Sequence, residues 1–316
     1  MKENISIIGT GLMGRGLAQV FSLAGHHVNI YDAFTEALWA APDNISREMG
    51  MSVEAGLLEA QEAESAVSLI SPQVDLEEAL KGVELVIECI PEKMELKQNI
   101  FKSLDEICPQ NVILATNTSV MSITEIASKS TYKHRIIGTH FWNPPHLIPL
   151  VEVVQTENTS LTVVEKTMSI LQKAGKKPIH VKKDVPGFVA NRMQHALWRE
   201  AFHILDEGIA DAGTIDEAVR YSFGLRLPQL GPLENADMIG LDLTFDIHNY
   251  ICKFLADNKE PSVTLKNLVD KGFLGFKSNG QGFQAWSEND MNNSRNNLFK
   301  YLLDVTVRKK NENNGS

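Results

Sequence analysis

Long apolar runs are missing from this chain. No stretch reaches the roughly 18 residues a helix needs to span a bilayer, although 43% of the 316 residues are hydrophobic. Basic residues are outnumbered: 30 Lys and Arg face 40 Asp and Glu, a formal charge of −10 at pH 7. That balance argues against a nucleic-acid partner. Cysteine is scarce, and Cys89, Cys108 and Cys252 show neither disulfide nor metal-ligand spacing. Reduced thiols and no metal site are therefore expected. The N-terminus carries no basic segment followed by an apolar stretch and a cleavage site, so a cytoplasmic location is the expectation. No internal repeat is visible. The length is generous for a single core, and about two domains are expected.

The chain opens with a complete nucleotide-binding pattern. Asn4-Ile5-Ser6-Ile7-Ile8 reads as a short strand, and Gly9-Thr10-Gly11-Leu12-Met13-Gly14 follows it. Gly16 to Leu23 reads as helix, and His27-Val28-Asn29-Ile30-Tyr31 as a second strand ending at Asp32. Gly9 permits a tight turn, Gly11 lets a pyrophosphate approach the backbone, and Gly14 lets helix and strand pack closely. The helix N-terminus faces the phosphates. Asp32 suits a ribose 2′-hydroxyl and repels a 2′-phosphate, which favours NAD over NADP.

Residues 33 to 66 read as a helical excursion interrupted near Gly50 and Gly56. Between Asp43 and Asp75 the basic residue is Arg47, against Glu48, Glu54, Glu59, Glu62 and Glu64. Such a charge run usually marks a solvated face. Strands resume at Glu84–Ile90 and Val112–Thr116, with helices over Glu95–Ile107 and Thr124–Ser128. In a doubly wound sheet, ligands gather beyond the carboxyl ends of the strands. Those ends carry Pro91-Glu92, Asn117-Thr118-Ser119 and His140. Taken singly, Glu92 with Lys97 reads as a surface pair and Ser119 as a helix cap.

The segment from Arg135 to Val154 holds the chemistry. Two β-branched runs flank a turn containing Pro144, Pro145 and Pro149, which cannot sit in a central ladder. Antiparallel pairing about His146 sets position 140 opposite position 152. An imidazole then meets a carboxylate in a half-buried place. Glu152 is costly to bury unless paired, and such a pair can serve as an oriented general base. It can equally be a structural ion pair.

Val163–Leu171 reads as an amphipathic helix and Pro178–Val181 as the last strand of the first domain. Lys183-Asp184-Val185-Pro186-Gly187 is a breaker cluster, which sets the expected boundary between residues 1–184 and 185–316. Helical patterns follow over Phe188–Glu207, Thr214–Tyr221 and Asp237–Leu255. Gly272–Trp286 is rich in glycine, and the polar tail after Arg308 is expected to fray.

With these motifs in view, the sequence resembles the L-3-hydroxyacyl-CoA dehydrogenase family nearly end to end. The likeness runs through Gly9–Gly14, Glu88–Lys97, Asn117-Thr118-Ser119, Gly138–Asn143, Leu150–Val153, Pro186-Gly187-Phe188 and Asn191-Arg192. It continues in Gly231-Pro232-Leu233-Glu234 and Gly275–Phe283. The resemblance implies a Rossmann-type α/β domain followed by a smaller all-helical domain that makes a homodimer. It implies an NAD-dependent oxidoreductase acting on a small hydroxyacyl or hydroxy-acid substrate, in fatty acid metabolism for the commonest members. His140 takes the role of general base, with Glu152 holding and charging it. Ser119 and Asn143 bond the reacting oxygen, and Asn191 closes over the substrate. Gly9, Gly11, Leu12, Met13, Gly14, Asp32, Glu92, Lys97 and Asn117 form the implied cofactor set. Glu92 and Lys97 lie near the nicotinamide ribose and Asp32 at the adenine ribose.

One departure concerns the substrate. Acyl-CoA members often carry a Lys-rich arm after the second strand that meets the CoA phosphates; here the arm is acidic. Many of them read Met-Lys-Leu-Val-Glu where this chain reads Ile148-Pro149-Leu150-Val151-Glu152. The Asn-Pro-Pro loop is similar to branches acting on free hydroxy acids (gulonate dehydrogenase and λ-crystallin) or on alcohols of pyridine carboxylates. The Gly275–Phe283 segment is similar to the acyl-CoA members. A 3-hydroxyacyl-CoA is the leading substrate, a free hydroxy acid or pyridine-carboxylate alcohol the alternative. A retired, crystallin-like NAD-binding protein is a third reading, opposed by the intact Ser119, His140, Asn143 and Glu152.

Overall fold

The computed structural model describes residues 2–314, with side chains described through residue 307. By packing, the chain divides into two units. One holds the residues up to Arg192 together with those from Lys300 onward; the other is Met193–Phe299. The first therefore extends past the 184/185 boundary expected from the breaker cluster and takes in part of the C-terminal helix.

The first unit is built on eight strands: β1 Asn4–Ile8, β2 His27–Tyr31, β3 Ile70–Pro72, β4 Leu85–Glu88, β5 Ile113–Thr116, β6 Ile136–Phe141, β7 Leu150–Val154 and β8 Lys177–Val181. Their order in the sheet is β3-β2-β1-β4-β5-β6-β7-β8. Neighbours from β3 to β6 are parallel; β7 runs antiparallel to β6 and parallel to β8. Pro72 and Pro178 fall on the two edge strands, where a missing N–H costs the ladder least.

Helices α1 Leu12–Leu23, α2 Thr35–Glu54, α3 Ala60–Ser68, α4 Leu76–Ala79, α5 Met94–Ile107, α6 Ile123–Ile126 and α7 Leu161–Lys173 connect the strands. Burial on both faces follows the strand period of two. Ile5, Ile7, Leu85 and Ile87 face one core with Leu17, Phe21 and Ile45. Ile8, Val86 and Leu114 face a second with Phe101 and Leu104. This is a Rossmann-type doubly wound sheet.

Several element bounds differ from expectation for identifiable reasons. Helix α1 starts at Leu12 because the glycine loop is itself the helix entrance. Helix α2 continues through Gly50, and the chain turns at Gly56, whose φ of +74° favours glycine. Strand β3, with Ser71 and Pro72, has no apolar alternation to announce it.

The second unit is helical. The helix α8 Ala190–Asp206 enters it, followed by α9 Ala212–Arg220, α10 Pro232–Ile239, α11 Leu241–Ile251, α12 Val263–Asp270 and the start of α13 Glu288–Asn314. The helical stretch expected over 237–255 is divided at Gly240, whose φ is +106°. Helix α13 keeps the polar tail helical to Asn314; the fraying expected of Gly315 and Ser316 lies outside the described residues. Its later part packs on the first unit, where Leu303 is buried and Thr306 Oγ1 donates to Leu147 O at 3.4 Å.

Candidate active site

The dyad comes from strand register. His140 pairs with Glu152 across the antiparallel β6–β7 ladder, as counting outward from His146 predicts. Both side chains point to one side, and His140 Nδ1 lies 2.7 Å from Glu152 Oε2. His140 is 4% exposed and Glu152 fully buried. Burial alone raises a carboxyl pKa. Here the bond from His140 and the N–H groups of Ala190 and Val189 outweigh it, holding Glu152 below its ordinary value. Those two N–H groups donate to Oε1 at 3.0 and 2.9 Å. The carboxylate is thus saturated on both oxygens and stays charged.

The neighbours of the dyad are fixed in turn. Asn117 Oδ1 accepts from Phe141 N at 2.9 Å, so the residue after the histidine is tied to the end of β5. In this structure Asn117 braces the strand. Ser119 is held through its backbone: its N–H donates to Glu92 Oε1 at 2.8 Å, and its carbonyl accepts from Asn191 Nδ2 at 3.0 Å. Among the described residues no protein group bonds its hydroxyl. Asn143 is exposed just beyond β6. Asn191, which the resemblance sets over the substrate, is buried, and its amide donates to the Ser119 carbonyl.

Lys97 is not the surface ammonium its sequence position allows. It is 1% exposed, and Nζ meets Glu88 Oε1 at 2.7 Å, Ile90 O at 3.2 Å and Glu92 Oε2 at 3.1 Å. Glu92, 41% exposed, is the outward face of this cluster, and it also accepts from Thr118 Oγ1 at 2.9 Å. Beneath it, Glu88 closes the network through Thr116 Oγ1 and Ile90 N, both at 2.7 Å. Burial raises the Glu88 pKa; Lys97, Thr116 and Ile90 oppose that shift without cancelling it. Glu88 lies in the Glu88–Lys97 motif, to which the resemblance attaches no role at this position. Its signal was a carboxylate closing an otherwise apolar strand.

The nucleotide loop matches its expected geometry. Gly9 has φ +103°, and a Cβ there would lie 2.8 Å from Cys89 O. A Cβ on Gly14 would lie 1.8 Å from Gly9 O, so no other residue fits. Gly11 is different: a Cβ would meet no protein atom within 4 Å. Nothing in the fold demands glycine there, and the open space in front of it fits a pyrophosphate at the entrance of α1. Leu12 and Met13 open that helix, Leu12 exposed and Met13 half-buried. Asp32 Oδ2 accepts from Thr10 N at 2.7 Å and Thr10 Oγ1 at 2.9 Å. Thr10, which the motif alone does not single out, fixes the position of the Asp32 carboxylate.

Residues 4–185 match the family model described as the 3-hydroxyacyl-CoA dehydrogenase NAD binding domain, and residues 187–286 the 3-hydroxyacyl-CoA dehydrogenase C-terminal domain. The chain belongs to the 3-hydroxyacyl-CoA dehydrogenase family. It is an NAD-dependent oxidoreductase acting on a small molecule. It is 39% identical over 287 residues to the probable 3-hydroxybutyryl-CoA dehydrogenase of Bacillus subtilis, covering 90% of this chain and 98% of that one. It is 34% identical over 293 residues to the 5-formyl-3-hydroxy-2-methylpyridine 4-carboxylate 5-dehydrogenase of Mesorhizobium japonicum, with 91% and 92% covered. A crystal structure of a 5-dehydrogenase of that pyridine carboxylic acid, described as an NAD+-dependent dismutase, superposes with a TM-score of 0.87 at 30% identity. It covers 96% of this chain and 97% of its own. No helix among the described residues is long and apolar enough to cross a membrane.

Proposed function

We propose that this family member interconverts a 3-hydroxyacyl-CoA and its 3-oxoacyl-CoA, with His140 as the general base. The observation that carries the reading is the buried 2.7 Å pairing of His140 with Glu152. Glu152 occupies Nδ1, so Nε2 is the nitrogen left to take the substrate's hydroxyl proton. Bound NAD supplies the hydride acceptor. In the reverse direction the imidazolium, stabilised by Glu152, protonates the developing alkoxide. The Ser119 hydroxyl and the Asn143 amide donate to that oxygen as its charge grows. Glu92 stands at the outer face of the Lys97 cluster, at the end of β4, where the nicotinamide ribose is expected.

Replacing His140 by Ala tests the assignment. NAD affinity should stay nearly intact while kcat drops on the order of 10²–10⁴-fold, the usual worth of a positioned base. Near-normal turnover in that variant would remove His140 from the role.

A second substrate reading, the alcohol of a pyridine carboxylate or another free hydroxy acid, is favoured by the likeness to the pyridine-carboxylate dehydrogenase over almost the whole chain. A panel of hydroxyacyl-CoA thioesters and free hydroxy acids assayed with NAD separates the two. No turnover of any of them, with NAD still bound, would favour the non-catalytic reading.

We further propose a homodimer. In the second unit, α9 to α12 bury no residue fully. Leu233, Met238, Leu241 and Phe245 are each more than 60% exposed on α10 and α11, and large exposed apolar surfaces mark protein–protein contacts. Sedimentation should give twice the monomer mass at micromolar protein. Replacing Leu241 and Phe245 together by Glu should shift it to monomer.

A further inference from the structure

Four consecutive residues at the entrance of α8 reach three parts of the site. Phe188 packs on the His140 ring, with centroids 5.7 Å apart and planes tilted by 54°. Val189 and Ala190 donate their N–H groups to Glu152 Oε1. Asn191 bonds the carbonyl of Ser119. The backbone bends sharply to allow this. Gly187 has φ +77°, and Phe188 follows with φ +49°. The left-handed region suits glycine; for a bulky side chain it is an outlier that the surroundings must enforce. Yet Phe188 is 2% exposed, so the strained residue is also a fully packed one.

The bend has two products. It aims successive amides at one carboxylate oxygen, and it lays an aromatic ring against the imidazole which that carboxylate holds. Trp142 lies on the imidazole as well, with centroids 5.4 Å apart. The ring of His140 is thus confined by two aromatic side chains and one hydrogen bond. Among the described residues no protein group bonds its Nε2. Rotation about χ2 would turn that nitrogen away from the reacting oxygen, and the aromatic neighbours oppose such rotation.

We infer that Phe188 is a positioning residue for the proton transfer: its ring, placed by a left-handed bend, keeps the His140 imidazole aligned between Glu152 and the substrate. The inference rests on His140 being the base. Because Phe188 also belongs to the core with Ile8, Leu114 and Val181, a packing role alone must be distinguished from a positioning one.

The experiment is a double-mutant cycle on full-length enzyme with saturating NAD, using whichever substrate from the panel turns over. Phe188→Gly removes the ring but suits the left-handed backbone, so the amides facing Glu152 are kept. Phe188→Leu retains apolar volume, and Phe188→Tyr retains the ring. With His140 present, Phe188→Gly and Phe188→Leu should lower kcat on the order of 10–100-fold, the cost of a misaligned group. KM for NAD should change less than about twofold, because the nucleotide loop is untouched, and Phe188→Tyr should restore most of the rate. In the His140→Ala background the same Phe188 substitutions should change the residual rate less than about twofold, since the group they align is gone. Equal losses in both backgrounds would show that Phe188 serves packing alone and would overturn the inference. So would Phe188→Leu turning over normally. A His140→Ala enzyme that keeps its rate strikes instead at the base assignment, and the inference falls with it. If Phe188→Gly does not fold, the Leu and Tyr variants carry the same comparison.

Discussion

Asp32 shows how a single residue combines architecture and selectivity. Its Oδ2 accepts both the N–H and the hydroxyl of Thr10, and its Oδ1 accepts Phe34 N at 2.9 Å. The glycine loop therefore holds the acid in place before any ribose arrives. A carboxylate fixed there repels a 2′-phosphate, so kcat/KM should favour NAD over NADP by tenfold or more, each tenfold being about 1.4 kcal/mol. Asp32→Ala should narrow that ratio, and it should weaken NAD too, since Thr10 loses its partner. Equal kcat/KM for the two cofactors in the unmutated enzyme would sink the idea. At this scale the sequence was readable wherever spacing fixes geometry. The His140–Glu152 pairing followed from counting along a hairpin, because register is an integer and a one-residue slip reverses every side chain. Lys97 was not readable in the same way. Its distance from Glu92 along the chain says nothing of burial, and the ammonium turns inward because Glu88 waits there. Phe188 was hidden for another reason: no propensity places a bulky side chain in the left-handed region.

At the scale of elements, apolar periodicity located the central strands to within a residue or two, since both faces of this sheet are buried. It failed at β3, too short and polar at the sheet edge, and at Gly240, where a positive φ splits one apolar stretch into two helices. Elements are also stitched by charge. Arg135, 1% exposed at the entrance of β6, donates to Asp105 Oδ1 from Nε at 3.1 Å and Nη2 at 2.8 Å, and to Cys108 O at 3.1 Å. This ties the end of α5 to the approach to β6. Arg135→Met strands a buried carboxylate and should cost roughly 3–5 kcal/mol in denaturant unfolding, with NAD affinity of the folded fraction unchanged. The pH dependence has a definite sign. Burial pushes the Asp105 pKa up, but the amides of Tyr132 and Thr131 and the Arg135 guanidinium together hold it below its ordinary value. A carboxyl with a depressed folded pKa stabilises fully above its unfolded pKa of about 3.9 and loses that contribution as pH falls through the folded value. The stability gap between wild type and Asp105→Asn should therefore be widest near neutral pH and shrink below about pH 4. A gap that stays constant to pH 2 would contradict the assignment.

At the scale of the whole molecule, the two-domain plan was legible in the order of motifs, while the return of α13 to the first unit was not, since it lies beyond the residues that match the family. The net charge of −10 bears on the substrate. CoA carries its phosphates far from the reacting carbon, and the arm formed by α2 and α3 is where a basic partner is expected. The structure gives three of the arm's five glutamates local work. Glu48 pairs with Arg15 at 3.0 Å and accepts from Gln19 at 2.6 Å. Glu59 and Glu62 form a reciprocal capping box at the start of α3. Their presence is thus explained by folding, but their charge remains, and Arg47 is the arm's exposed cation. Each solvent-exposed mismatch with a phosphate costs only a few tenths of a kcal/mol after screening. On this charge balance the arm should not forbid CoA, and it should not help bind it. If a CoA ester is the substrate, its recognition should rest on the pantetheine and acyl parts. A short 3-hydroxyacyl-pantetheine thioester should then match the CoA ester in kcat/KM within a few-fold, free CoA should inhibit poorly, and added salt should leave KM for the CoA ester unchanged. A many-fold lower KM for the CoA ester that climbs steeply with salt would reveal a basic phosphate site, with Arg47, Lys81, Lys93 and Arg226 the first side chains to replace. Failure of both thioesters beside turnover of a free hydroxy acid would favour the alternative substrate, whose carboxylate needs a cation of its own, with Arg226 the first candidate.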